Sequence, residues 1–327
     1  MITVKKRLLT LGATAALLAL TACGGAATEP GASSAAATSV SVQDNYGEHT
    51  ISAPPKSVVA TDNRTFETLA DWGITLKAGA VALMPDTSSY KKDAAIVDLG
   101  SHREPNLEAI VAVDPDVIVN GQRFTQFHDD FTKLAPNATV LELDPRDGEP
   151  FDTELKRQIT VLGDVFAKQD QAKKLNADFD AAIARVKAAY DPKATVMGVI
   201  TSGGKINYAA PGNGRTLGPL FDILGLTPAL EVKDASTDHQ GDDISVEAIA
   251  KSKPNWILVM DRDAGVSTKD AGYKPANELL ESSAALKNVP ATQEGNIVYM
   301  PADTYTNEGI QTYTEFLNTF ADALEGK

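Results

Sequence analysis

Short apolar runs and longer amphipathic stretches alternate along most of the chain. Val58–Ala60, Val117–Val119 and Val140–Leu143 are brief aliphatic runs, the pattern of parallel strands buried on both faces. Thr65–Trp72 has helical spacing and is followed by Gly73, a C-terminal stop. The alternation resumes with Thr195–Ile200, Trp256–Met260 and Ile297–Met300. Strand, helix, strand in both halves predicts an α/β protein of two doubly wound lobes.

An internal echo points to the same architecture. Asn106-Leu107-Glu108-Ala109-Ile110 precedes Asp114-Pro115-Asp116-Val117, and Ser245-Val246-Glu247-Ala248-Ile249 precedes Lys253-Pro254-Asn255-Trp256. Each reads as a helix with a Glu in its first turn, a tight loop, then a strand. Between the halves, Leu155, Ile159, Leu162 and Phe166 mark one helical face, and Leu175, Phe179, Ile183 and Val186 another. Gly163 interrupts the pattern, and Asp191-Pro192 ends it. A helical connector between lobes implies a stiff joint.

The amino terminus reads as an address. Lys5, Lys6 and Arg7 precede an apolar stretch from Leu8 to Leu20, the layout of a secretory signal peptide and too short to span a membrane. Leu20-Thr21-Ala22-Cys23-Gly24 resembles a bacterial lipobox, which implies cleavage before Cys23 and lipidation of it. The alternative is an ordinary signal peptide with an incidental free cysteine. Gly24–Thr38 is rich in Gly, Ala, Ser and Thr, the composition of a flexible tether. The expected division is a signal peptide at 1–22, a tether at 23–39, an N-terminal lobe at 40–151, a connecting segment at 152–190 and a C-terminal lobe at 191–327.

Composition narrows the chemistry. The chain has 327 residues, 43% hydrophobic and 23% charged, which is globular. Its formal net charge of -14 argues against nucleic acid as a partner. One Cys permits no intramolecular disulfide, and the 4 His show no helical metal spacing. No G-x-S-x-G elbow or phosphate-binding glycine loop occurs, so neither a hydrolase nor an ATPase is indicated.

From about Val40 onward the chain resembles the substrate-binding lipoproteins of bacterial ABC importers for ferric siderophores, haem and cobalamin. The Glu-containing echo carries that resemblance, and it implies the class III substrate-binding fold, with lobes joined by a long helical connector. It also implies that Glu108 and Glu247 dock onto arginines of the permease. From sequence alone each Glu is equally a solvated carboxylate that favours its helix dipole. Within the group the chain is most similar to binders of catecholate siderophores. Asn120-Gly121-Gln122-Arg123, Ala210-Pro211-Gly212-Asn213-Gly214-Arg215-Thr216-Leu217-Gly218 and Val259-Met260-Asp261-Arg262 carry the match, together with His239 and Tyr305. The resemblance implies that Arg123, Arg215 and Arg262 bind the anionic complex. It also implies that His239 and Tyr305 ligate iron when the siderophore leaves sites open. The sequence departs from the group at Thr306-Asn307-Glu308-Gly309, where a Gly-rich run is usual.

The chemistry supports that assignment independently. A ferric tris-catecholate carries three negative charges, which three guanidiniums match. Arginine stays protonated, presents forked donors and stacks on aromatic rings. All three arginines follow strands or lie in Gly-containing loops, where open α/β sheets bind ligands. Fe3+ accepts a hard phenolate oxygen or a neutral imidazole. Tyr305 is alternatively a rim residue and His239 a loop histidine. The expected role is therefore an extracytoplasmic, lipid-anchored, monomeric binding protein, not an enzyme, with no intrinsic cofactor. Its expected partners are a ferric siderophore and an ABC permease with its ATPase. A haem or ferric hydroxamate binder is the alternative, and an extracellular hydrolase a distant one.

Overall fold

The structure of the protein, a computed structural model, describes residues 38–326. The signal peptide and Cys23 lie outside the described residues. The first element is an antiparallel hairpin of Thr38–Gln43 and Glu48–Ala53. Strand structure thus begins inside the stretch read as tether, because Val42, Ile51 and Ala53 have a core to bury into.

The first lobe is built on a parallel sheet. Its strands run in the order Val97–Asp98, Leu76–Gly79, Val58–Ala60, Val117–Asn120, Thr139–Glu142. The two strands Val58–Ala60 and Val117–Asn120 are wholly buried, which explains the aliphatic runs Val58–Ala60 and Val117–Val119. The second lobe has Thr195–Ser202 at its centre. Trp256–Asp261 lies beside it and then Ile297–Tyr299, both parallel, while Lys205–Ala209 pairs antiparallel on the other side. The antiparallel strand is reached through a tight turn at Gly203 and Gly204, both with positive φ.

The connector is two helices, not one rod. Phe151–Val165 and Gln169–Ala189 are separated by Phe166–Lys168, with Ala167 at φ 54°. Gly163 permits the close return of the second helix. A Cβ there would lie 2.6 Å from the Cβ of Ala172, so glycine lets the second helix fold back closely onto the first. Of the expected apolar faces, Leu155, Ile159 and Leu162 on one helix and Phe179, Ile183 and Val186 on the other are buried, Phe166 is buried just past the first helix, and Leu175 is only partly buried.

The C-terminal helix Ile310–Leu324 buries Tyr313, Phe316, Leu317 and Phe320. One apolar cluster runs continuously through the first sheet, the connecting helices, this C-terminal helix and one face of the second sheet. A second cluster covers the other face. A shared, close-packed core resists shear, so this cluster braces the two lobes together.

Candidate functional site

Each arginine predicted for the site sits just beyond a strand or in a glycine turn. Arg123 lies in the 3-10 turn Gln122–Phe127 that follows Val117–Asn120. Gly121 must be glycine, because a Cβ there would come within 2.7 Å of the Asp62 carboxyl carbon. Gln122 then takes a left-handed φ of 52°, held by Asp144, whose two carboxylate oxygens each accept from its backbone N–H at 2.9 Å. Arg262 opens the helix Arg262–Val266 directly after Trp256–Asp261. Arg215 belongs to the loop before the helix Gly218–Leu224. Tyr305 is in the 3-10 turn Thr304–Thr306, beyond the strand Ile297–Tyr299.

The five predicted residues converge. The guanidinium carbons of Arg123, Arg215 and Arg262 lie 4.9, 5.1 and 4.8 Å from the centre of the Tyr305 ring, within cation–π range. The His239 ring centre is 6.2 Å from that of Tyr305. The chain thus surrounds one buried phenol ring with three cations, each half-buried.

The arginines are not equally free. Glu308, 2% exposed, accepts from Arg215 at Nε (3.0 Å) and at Nη2 (2.5 Å). It also accepts from the Thr216 hydroxyl, and from Gln122 Nε2 of the first lobe at 2.5 Å. Burial alone would favour the neutral acid. The Arg215 and Arg64 guanidiniums outweigh it and hold the Glu308 carboxyl at about 2. Arg262 pairs with Asp263 at 2.9 Å. Arg123 has only neutral acceptors, Asn63 Oδ1 at 3.3 Å and Gln122 Oε1 at 3.4 Å, and its Nη2 is buried with no hydrogen-bond partner among the described residues.

Partial burial lowers the His239 pKa from its ordinary value. Asp238 opposes that shift, while Arg262, Arg215 and Arg123 reinforce it. The imidazole is therefore neutral near pH 7, the form that ligates metals. Among the described residues there is no group of three or more His, Cys, Asp or Glu that could hold a metal ion.

Sequence reasoning missed Arg64, Asp144 and the role of Glu308. Arg64 follows the strand Val58–Ala60 just as Arg123 follows Val117–Asn120, so the same strand-end rule finds it. It pairs with Asp144 at 3.0 Å. A cavity of about 400 Å³ is lined by Arg64, Arg123, Asp144, Arg215, Glu308 and Tyr313 among others. Arg262, His239 and Tyr305 lie outside this lining, while Arg123 and Arg215 belong both to it and to the cluster around Tyr305. Glu108 and Glu247 are far from this chemistry in kind: each is exposed, in the first turn of a six-residue helix. Ser245 caps the second of these by accepting from the Ala248 N–H.

Two α/β lobes around a cationic cleft define the substrate-binding protein class. The chain belongs to the periplasmic binding protein family, Peripla_BP_2, which it matches over residues 58–304. Among curated proteins it is similar to the petrobactin-binding protein YclQ of Bacillus subtilis, 26% identical over 312 residues, covering 94% of this chain and 95% of YclQ. It is also similar to the ferric-anguibactin-binding protein FatB of Vibrio anguillarum, 28% identical over 273 residues, covering 82% and 81% of the two chains. Among solved structures it shares its fold with the periplasmic catecholate-siderophore binding protein VctP of Vibrio cholerae. The TM-score is 0.75 at 23% identity, covering 88% of this chain and 100% of VctP.

Proposed function

We propose that this protein captures a ferric siderophore of the catecholate kind between its lobes and hands it to an ABC permease for iron uptake. The observation that carries this reading is the convergence of Arg123, Arg215 and Arg262 on the Tyr305 ring, with His239 beside it. Such a cluster suits an anionic, aromatic ligand, whose rings and ionised oxygens engage the same guanidiniums. The names of the relatives support it, since they bind petrobactin, ferric anguibactin and catecholate siderophores. A relative that binds iron(3+)-hydroxamate, 25% identical over 319 residues, keeps a less anionic ligand as the competing reading.

In this account His239 and Tyr305 complete the iron coordination when the siderophore offers only four donors. Glu108 and Glu247 present one carboxylate from each lobe to the permease. Lipidated Cys23 holds the monomer at the outer face of the cell membrane, with residues 24–37 as its tether. Binding and release involve no turnover. The test is a titration of residues 38–327 with four ligands: a ferric catecholate of four donors, one of six, a ferric hydroxamate and haem. Tight binding confined to catecholates is expected. Binding confined to haem or hydroxamate would overturn the substrate assignment.

A further inference from the structure

Counting charges at the site changes the match between cleft and ligand. Three guanidiniums alone would suit a complex of three negative charges. The cavity, however, is lined by Arg64, Arg123 and Arg215 together with Asp144 and Glu308, which leaves one net positive charge. The guanidinium cluster gives the same answer. Arg215 is clamped by Glu308 and Arg262 by Asp263, so of the three Arg123 alone has no carboxylate partner among the described residues.

We propose that Glu308 sets the charge of the ferric complex this cleft accepts. By cancelling Arg215 it favours a complex with one negative charge over a complex with three. Four ionised catecholate oxygens on Fe3+ give the first; six give the second. The inference rests on the siderophore reading above and sharpens it. Glu308 is a positioning residue as well as a charge: its two-point grip on Nε and Nη2 aims the Arg215 guanidinium at Tyr305. Its location is built for the role. Gly309 next to it has no Cβ, and one there would strike the Arg64 carbonyl oxygen at 2.6 Å. That close approach brings the Glu308 segment of the second lobe against the first, where Gln122 also donates to it.

The experiment compares wild type, Glu308→Gln and Glu308→Asp. For each, dissociation constants are measured for a ferric bis-catecholate of four donors and a ferric tris-catecholate of six, at low and physiological salt. Glu308→Gln should shift the ratio of the two affinities toward the six-donor complex on the order of tenfold or more, most at low salt. Glu308→Asp, which keeps the charge, should retain the wild-type ratio. A purely structural role would weaken both complexes alike and leave the ratio unmoved, which would overturn the proposal. Should Glu308→Gln fail to fold, Asp263→Asn, which frees the charge of Arg262, must move the ratio the same way; an unmoved ratio would again overturn it. Wild-type protein that binds neither complex would instead reject the siderophore reading itself, and this inference with it.

Discussion

Arg123→Ala isolates the charge that the site leaves uncompensated. Its guanidinium makes two long hydrogen bonds to neutral acceptors, at 3.3 and 3.4 Å, and no ion pair among the described residues. Removing it therefore strands no buried carboxylate, and the fold should keep its stability to within about 1 kcal/mol. The loss should fall on binding. A charge-assisted contact contributes roughly 1.5–3 kcal/mol, or roughly tenfold to 150-fold in affinity. A unit charge about 5 Å away, at an effective dielectric near 20, gives about 3 kcal/mol, consistent with the upper end. Isothermal titration with a ferric four-donor catecholate reads the affinity, and thermal unfolding of the same sample reads the stability. A dissociation constant within twofold of wild type would refute the reasoning, because it would mean that the ligand does not meet this guanidinium.

Arg215→Ala should behave differently, lowering stability as well as affinity. The Arg215 and Arg64 guanidiniums outweigh burial and hold the Glu308 carboxyl at about 2 instead of 4.5, which corresponds to at most ~3 kcal/mol of folding stability. A depressed carboxyl contributes above its unfolded pKa, so the deficit of the variant should be complete above pH 4.5 and fade as pH falls toward 2; a deficit independent of pH would contradict this. The raised carboxyls have the opposite sign. Burial, reinforced by Asp144, pushes Asp62 up to about 7, and burial pushes Glu142 up to about 8 although Asn120 donates to it. Both bind protons more tightly when folded, so stability should rise as pH falls from about 8 toward 4.5. Urea midpoints should show Glu142→Gln more stable than wild type at pH 8, with the gap closing by pH 5; equal midpoints at pH 8 would count against a buried, strained Glu142. Replacing Glu108 and Glu247 together with Ala should leave ligand affinity unchanged and cut iron uptake in cells by tenfold or more, whereas normal uptake would reject their docking role.

How legible this protein was depended on the range of the interactions. The strands Val117–Asn120 and Trp256–Asp261 were readable because burial on both faces demands unbroken apolar sequence. The arginines were readable through the resemblance to catecholate-siderophore binders, and their places at strand ends and in glycine loops agreed with it. The strand-end rule reaches Arg64, yet its ion pair with Asp144 spans 80 residues, and no local pattern encodes that. Glu308 was visible as a departure from a Gly-rich run, but its meaning was not. Its partners Gln122 and Arg215 are 186 and 93 residues away, so only the folded chain shows that one guanidinium is neutralised. The close packing of the second connector helix on the first rests on how closely Ala172 approaches Gly163, again a tertiary fact. The hairpin Thr38–Gln43 with Glu48–Ala53 lay hidden because its first strand begins in a run of small residues that resembles tether.

The central claim is that an anionic ferric catecholate occupies the cleft where three guanidiniums meet. The most direct measurement is a crystal structure of residues 38–327 grown with a ferric four-donor catecholate. The complex should lie between the lobes, its catecholate oxygens within hydrogen-bond distance of Arg123, Arg215 and Arg262, and its iron ligated by His239 and Tyr305. A ligand seated elsewhere on the molecule, or in the cleft without contact to the arginines, would contradict that claim.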